Sequence, residues 1–127
     1  RVSALYLDAP VLDIRSWPGG WGRGDGAPKE WEECKAWYRL DEDSAQEFRQ
    51  NPLDRIPELL AAKIPVILVA GDADTAVPFA ENGRIFAARY QEGGGSIQVI
   101  LKPGCGHHPH SLENPAPIVA FLEKYGR

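Results

Sequence analysis

Ile64-Pro65-Val66-Ile67-Leu68-Val69-Ala70-Gly71-Asp72-Ala73-Asp74-Thr75-Ala76-Val77-Pro78 decides how this chain folds. The first seven of these residues are apolar without alternation, which marks a strand covered on both faces, as in a parallel sheet. A glycine and two acids follow at once. In open α/β sheets, binding and catalytic groups collect in the crevice beyond the carboxyl ends of the strands. An acid placed just past a buried strand is therefore a candidate for chemistry.

Working downstream, residues 79–90 read as an amphipathic helix with Phe79, Phe86 and Tyr90 inward and Gly83 allowing close approach. Gly93-Gly94-Gly95 ends it, and residues 96–101 form the next strand. Past that strand lies Gly104-Cys105-Gly106-His107-His108-Pro109-His110, where the glycines are expected to let the loop turn sharply. Residues 115–124 complete the pattern as a helix packing Ile118, Phe121 and Leu122.

Working upstream, residues 57–62 form a short helical approach to the central strand, with Pro57 in its first turn. Residues 42–49 suit a helix capped by Asp41 or Asp43, and residues 29–39 another, with Trp31, Cys34 and either Trp37 or Tyr38 along one side. Residues 16–29 are a loop rich in Gly, Pro and Trp, in which Trp17 and Trp21, with Trp31 beyond, favour an ordered wall. Residues 2–7 are a short strand, ended by Asp8-Ala9-Pro10. Strand, excursion, strand, helix, strand, helix is an α/β pattern with a parallel sheet and right-handed crossovers.

Composition narrows the function. With 127 residues, 43% hydrophobic and 25% charged, the chain is one globular domain or part of one. A net charge of −4 argues against nucleic-acid and anionic-membrane surfaces, and no apolar run is long enough to span a bilayer. Cys34 and Cys105 stand outside any Cys-x-x-Cys arrangement, so no disulfide framework is expected. The opening Arg1-Val2-Ser3-Ala4-Leu5-Tyr6-Leu7 enters a strand directly, as in a sequence cut from a longer polypeptide.

Gly71-x-x-Asp74-x-x-Val77-Pro78 resembles the acid turn of the α/β-hydrolase superfamily, and Gly104-x-Gly106-His107, followed by Pro109 and Glu113, resembles its histidine loop. The resemblance covers the C-terminal 65 residues and rests on the two motifs together, in order, each after a buried strand. It implies the C-terminal portion of a parallel α/β-hydrolase sheet with flanking helices: residues 1–9 a strand, 10–62 a lid-like insertion with helices, and 63–127 the acid and histidine strands with their helices. It further implies an esterase or peptidase-like serine hydrolase acting on a small-molecule ester or other acylated substrate, with no cofactor or metal. Asp74 would orient and His107 would serve as general base, then general acid. The Gly-x-Ser-x-Gly turn that carries the nucleophile is absent from residues 1–127, so the resemblance puts the serine and the oxyanion hole upstream.

Several readings compete at these positions. Asp72 is read as a local turn residue, since Asp74 has the matching offset from Gly71 and Pro78. His107 and His108 both remain open as the base: counting from Gly104 and Gly106 favours the first, counting from Glu113 and Pro115 the second. The three histidines could also hold a metal ion. Cys105 is read as a small apolar filler, and Ser3, Ser16, Ser44, Ser96 and Ser111 all lack the strand-to-helix elbow of a nucleophile. A lyase, a dehalogenase or a carbon–carbon hydrolase would keep the same two turns. A reading of another class is a catalytically inactive fragment or interaction module whose open sheet edge is completed by a partner.

Overall fold

The computed structural model describes residues 1–126. Three strands form one parallel sheet in the order β1 (Leu5–Asp8), β2 (Val66–Gly71), β3 (Ile97–Lys102). The register pairs Leu5 with Val66 and Val66 with Ile97, so the three strands start level; β2 and β3 end together at Gly71 and Lys102, and β1 stops at Asp8, opposite Val69. The chain is thus a mixed α/β fold with a small parallel sheet and flanking helices.

β2 is buried along its whole length, as its unbroken apolarity requires. The two-residue period of the strand divides its side chains between two cores. Val66, Leu68 and Ala70 face Leu12, Leu53, Ile56, Phe86 and Tyr90, while Ile67 and Val69 face Ile118 and Phe121. Leu12, Leu53 and Ile56 belong to residues 10–62, so that segment supplies part of the main core as well as lying beside the sheet end.

Among the described residues, five helices flank the sheet: α1 (Pro28–Tyr38), α2 (Glu42–Gln46), α3 (Ile56–Ala61), α4 (Gly83–Glu92) and α5 (Ala116–Tyr125). No helix of the described residues is long and apolar enough to cross a membrane. A 3₁₀ turn at Pro52–Arg55 leads into α3. α2 opens on a capping box between Asp41 and Ser44 but ends at Gln46, three residues short of expectation. The Ser44 and Ala45 carbonyls accept from the Glu47 and Phe48 amides in a tightened last turn, Arg15 and Arg49 both donate to the Gln46 carbonyl, and Phe48 is buried.

The helix expected over 79–90 is broken at Asn82. A 3₁₀ turn covers Phe79–Glu81, and α4 starts at Gly83. Asn82 is 1% exposed, and its side chain accepts from the Leu12 amide at 2.9 Å and donates to Ser16 Oγ at 3.0 Å. These bonds, closing contacts about seventy residues apart in sequence, hold Asn82 in a non-helical conformation. Gly83 then lets α4 lie close, since a Cβ there would sit 2.9 Å from the Phe79 ring.

The strand expected over 2–7 begins only at Leu5, whose amide donates to the Pro65 carbonyl where β2's partner edge starts; Val2 is 55% exposed. On α5, Ile118 and Phe121 are buried, but Leu122 is 40% exposed and Tyr125 packs against Phe121 in its place. In α1, Trp31 is buried while Trp37 points to solvent and Tyr38 leans on Phe48.

Candidate active site

Two turns meet beyond the carboxyl ends of β2 and β3. The first leaves β2 at Gly71, where the backbone passes so close to the histidine loop that a Cβ would lie 2.2 Å from the Cys105 carbonyl. Ala73 N–H donates to that carbonyl at 2.9 Å, and Gly104 N–H donates to Asp72 Oδ1 at 2.6 Å. Asp72, read from the sequence as closing its own turn, instead ties the two loops together. Gly104 has φ +69, as a sharp reversal needs; Gly106 has neither a positive φ nor a crowding neighbour nearer than 3.9 Å.

Asp74 closes the first turn and also faces the second. Its Oδ1 accepts from the amides of Ala76 at 3.0 Å and Val77 at 2.8 Å, an Asx-type turn. Its Oδ2 lies 2.8 Å from His107 Nδ1. The turn-forming and the histidine-orienting readings of this residue thus hold together, one on each oxygen. The Asp74 side chain is 1% exposed and the His107 ring 25%. Three donors satisfy a carboxylate that has been withdrawn from water, which burial demands. Facing an ionised carboxylate, which only accepts, Nδ1 is the donor, and in the neutral imidazole Nε2 then keeps its lone pair. No hydroxyl or thiol among the described residues bonds Nε2.

Of the two adjacent histidines, His107 is the one whose ring meets Asp74. His108 is exposed and stands edge-on to His107, with ring centroids 5.0 Å apart, and makes no bond to Asp74. Cys105 is half-buried, with its sulfur near the Pro103 carbonyl, and touches no imidazole as a hydrogen-bond partner. Ser16 is buried on Glu81 and Asn82, and Ser44 caps α2, so neither is poised as a nucleophile.

A residue with no predicted role anchors the histidine loop. Asp8, the last residue of β1, accepts from the Ser111 amide at 2.7 Å and from the Tyr6 hydroxyl at 2.6 Å through the same oxygen. Burial, and then the bond to Asp8, raise the Tyr6 hydroxyl above its ordinary pKa. Ser111 has φ +65, and the Asp8 bond helps hold that left-handed backbone. The signal was present in the sequence as a second acid at the carboxyl end of a strand, matching Asp74.

Val11, Trp17, Ala76, Val77, His107 and His108 line a cavity of about 290 Å³. Of the tryptophans expected to form a wall, only Trp17 reaches it. Trp21 and Trp31 pack on each other edge to face at 5.9 Å, and Trp31 Nε1 donates to Glu42. The loop bearing Trp17 is fastened to the acid turn: Glu81 accepts from Ser16 Oγ at 2.7 Å and the Arg23 amide at 2.6 Å, and the Asp25 amide donates to the Thr75 carbonyl. A larger cavity, about 610 Å³, lies against the carboxyl-terminal half of β3 and the loop after it, and takes in His110 but not His107.

No protein-family profile matches this sequence, and no curated protein matches it. The site comprises an imidazole whose Nδ1 meets a buried carboxylate, with Nε2 bonded to no side chain among the described residues and an apolar wall alongside.

Proposed function

We propose that Asp74 and His107 are the acid and base of an α/β-hydrolase triad, and that the complete enzyme cleaves an ester or related acyl bond. The observation that carries this reading is the 2.8 Å bond from His107 Nδ1 to a carboxylate that is itself buried and fixed by two amides. The parallel order of β1, β2 and β3, with both residues past the strand ends, supports it.

On this reading Nε2 of His107 takes the proton of a serine hydroxyl as that oxygen attacks the acyl carbon. Asp74 stabilises the resulting imidazolium, which then returns the proton to the leaving group. The serine sits on a Gly-x-Ser-x-Gly turn outside residues 1–127, and its following amide supplies half of the oxyanion hole. The Val11, Trp17, Ala76 and Val77 wall suits a small apolar acyl or alcohol portion. The triad chemistry itself requires no cofactor or metal.

The test is hydrolysis of an activated acetate ester by the native polypeptide that carries this sequence. His107→Ala should lower turnover by about 10⁴- to 10⁶-fold, while residues 1–127 alone should show no burst of acylation. Equal turnover by the native polypeptide and its His107→Ala variant would refute the proposal.

A further inference from the structure

His107, His108 and His110 are the three histidines of the chain, and one ring nitrogen from each lies within 4.8 Å of the others. The ring centroids form a triangle with sides of 5.0, 5.0 and 4.6 Å. The first ring is held from behind. Its Nδ1 is bonded to Asp74, so Nε2 is the atom it presents. A ligating imidazole wants this arrangement, because a carboxylate on its second N–H fixes the ring and strengthens the donor atom.

The other two rings are exposed and free to turn about their side-chain bonds. Around a tetrahedral ion with metal–nitrogen bonds of about 2.0–2.1 Å, ligand nitrogens stand about 3.4 Å apart. Closing from 4.8 Å therefore asks for a movement on the order of 1.4 Å, within reach of side-chain rotation alone. One feature opposes a cation: the ammonium of Lys102 donates to the Pro109 carbonyl in the same loop at 2.8 Å.

We propose that His107, His108 and His110 form a three-imidazole site for a late first-row divalent ion, with Asp74 as its supporting carboxylate. Three neutral imidazoles match zinc or copper(II) better than magnesium or calcium, which prefer oxygen ligands. The site is a property of the rings and does not depend on the hydrolase reading. Where both hold, the ion occupies the lone pair that a general base needs, so bound metal inhibits proton transfer.

The test is a Zn²⁺ titration of the chain, free of any affinity tag, in competition with a chromogenic chelator, alongside Co²⁺ binding followed by absorption. One ion per chain is expected. His108→Ala and His110→Ala should each weaken binding by more than the 10- to 100-fold expected on removing a supporting partner, and Asp74→Asn by at least that 10- to 100-fold, because it also favours the proton on His107 Nε2. Because both alanine variants change exposed residues, amide spectra superposable on the parent should accompany them. Absence of binding with zinc in excess would overturn the proposal. So would affinity unaffected by either alanine variant, or a thiolate-to-cobalt charge-transfer band, which would assign the ion to cysteine.

Discussion

Replacing Asp74 with asparagine should move the proton on His107 from one ring nitrogen to the other. In the native side chain, Oδ1 holds the Ala76 and Val77 amides and Oδ2 accepts from His107 Nδ1 at 2.8 Å. Asparagine is nearly isosteric. Its carbonyl oxygen can keep both amides, which fixes its NH₂ group opposite the imidazole. That group donates, so Nδ1 must become the acceptor and Nε2 must carry the proton. Each of the three bonds changes from charge-assisted to neutral, at about 1 kcal/mol apiece, for an upper figure of about 3 kcal/mol of stability. A domain with the usual 5–15 kcal/mol would remain folded at about that cost. The assay is a long-range proton–nitrogen correlation spectrum of the histidine rings, which in this chain contains three spin systems. The native protein should show His107 as the Nδ1–H form and the variant as the Nε2–H form. In the native polypeptide, the same change should reduce acyl transfer by about 10⁴-fold, because the lone pair faces the wrong way. A variant that is folded yet keeps the Nδ1–H form would refute the reasoning about how Asp74 acts.

The remaining predictions concern what holds the two turns together. Asp8→Ala should free the Ser111 amide and the Tyr6 hydroxyl; because Asp8 Oδ1 is buried without a partner, the net loss should lie at the low end, about 1–2 kcal/mol by urea denaturation. Hydrogen exchange at Ser111 should accelerate in that variant, and unchanged protection would dismiss the anchoring role. Gly71→Ala should displace the histidine loop, costing about 1–3 kcal/mol, whereas Gly106→Ala should stay within about 0.5 kcal/mol, since its nearest neighbour is 3.9 Å away. Similar losses from the two alanines would contradict the packing described. For Asp13, burial pushes the carboxyl up, but hydrogen bonds from the Arg15 side chain and amide outweigh this and hold it below its ordinary value. A depressed folded pKa gives stability that is present above the unfolded value, about 3.9, and lost as pH falls through the folded one. Asp13→Asn should therefore cost about 1 kcal/mol at neutral pH, and the difference should vanish in acid; a constant difference across the titration would exclude this pair as its source.

The middle strand and the two motif turns were legible because they depend on short-range facts. An unbroken apolar run can only be a doubly covered strand or a buried helix segment, and flanking Pro and Gly decide between them. Asp74 was legible by its offset within one turn. What the sequence hid were bonds between distant residues: Asp8 with Ser111, 103 positions apart, and Asn82 with Leu12, 70 apart. The second of these is why a helix pattern over 79–90 breaks at Asn82, since local periodicity carries no trace of a tertiary hydrogen bond. His107 and His108 could not be separated for a related reason. Adjacent side chains leave the backbone in different directions, and only the loop's path decides which one meets Asp74. Which tryptophans face a pocket was not legible, because clustering in sequence says little about facing: Trp17 turns to the cavity while Trp21 packs on Trp31.

The most direct test of the proposed triad is fluorophosphonate labelling of the native polypeptide, followed by peptide mapping and intact mass. One labelled serine is expected, on a Gly-x-Ser-x-Gly turn outside residues 1–127, with a labelling rate that collapses in His107→Ala. No labelled serine, or a labelling rate indifferent to His107→Ala, would contradict it.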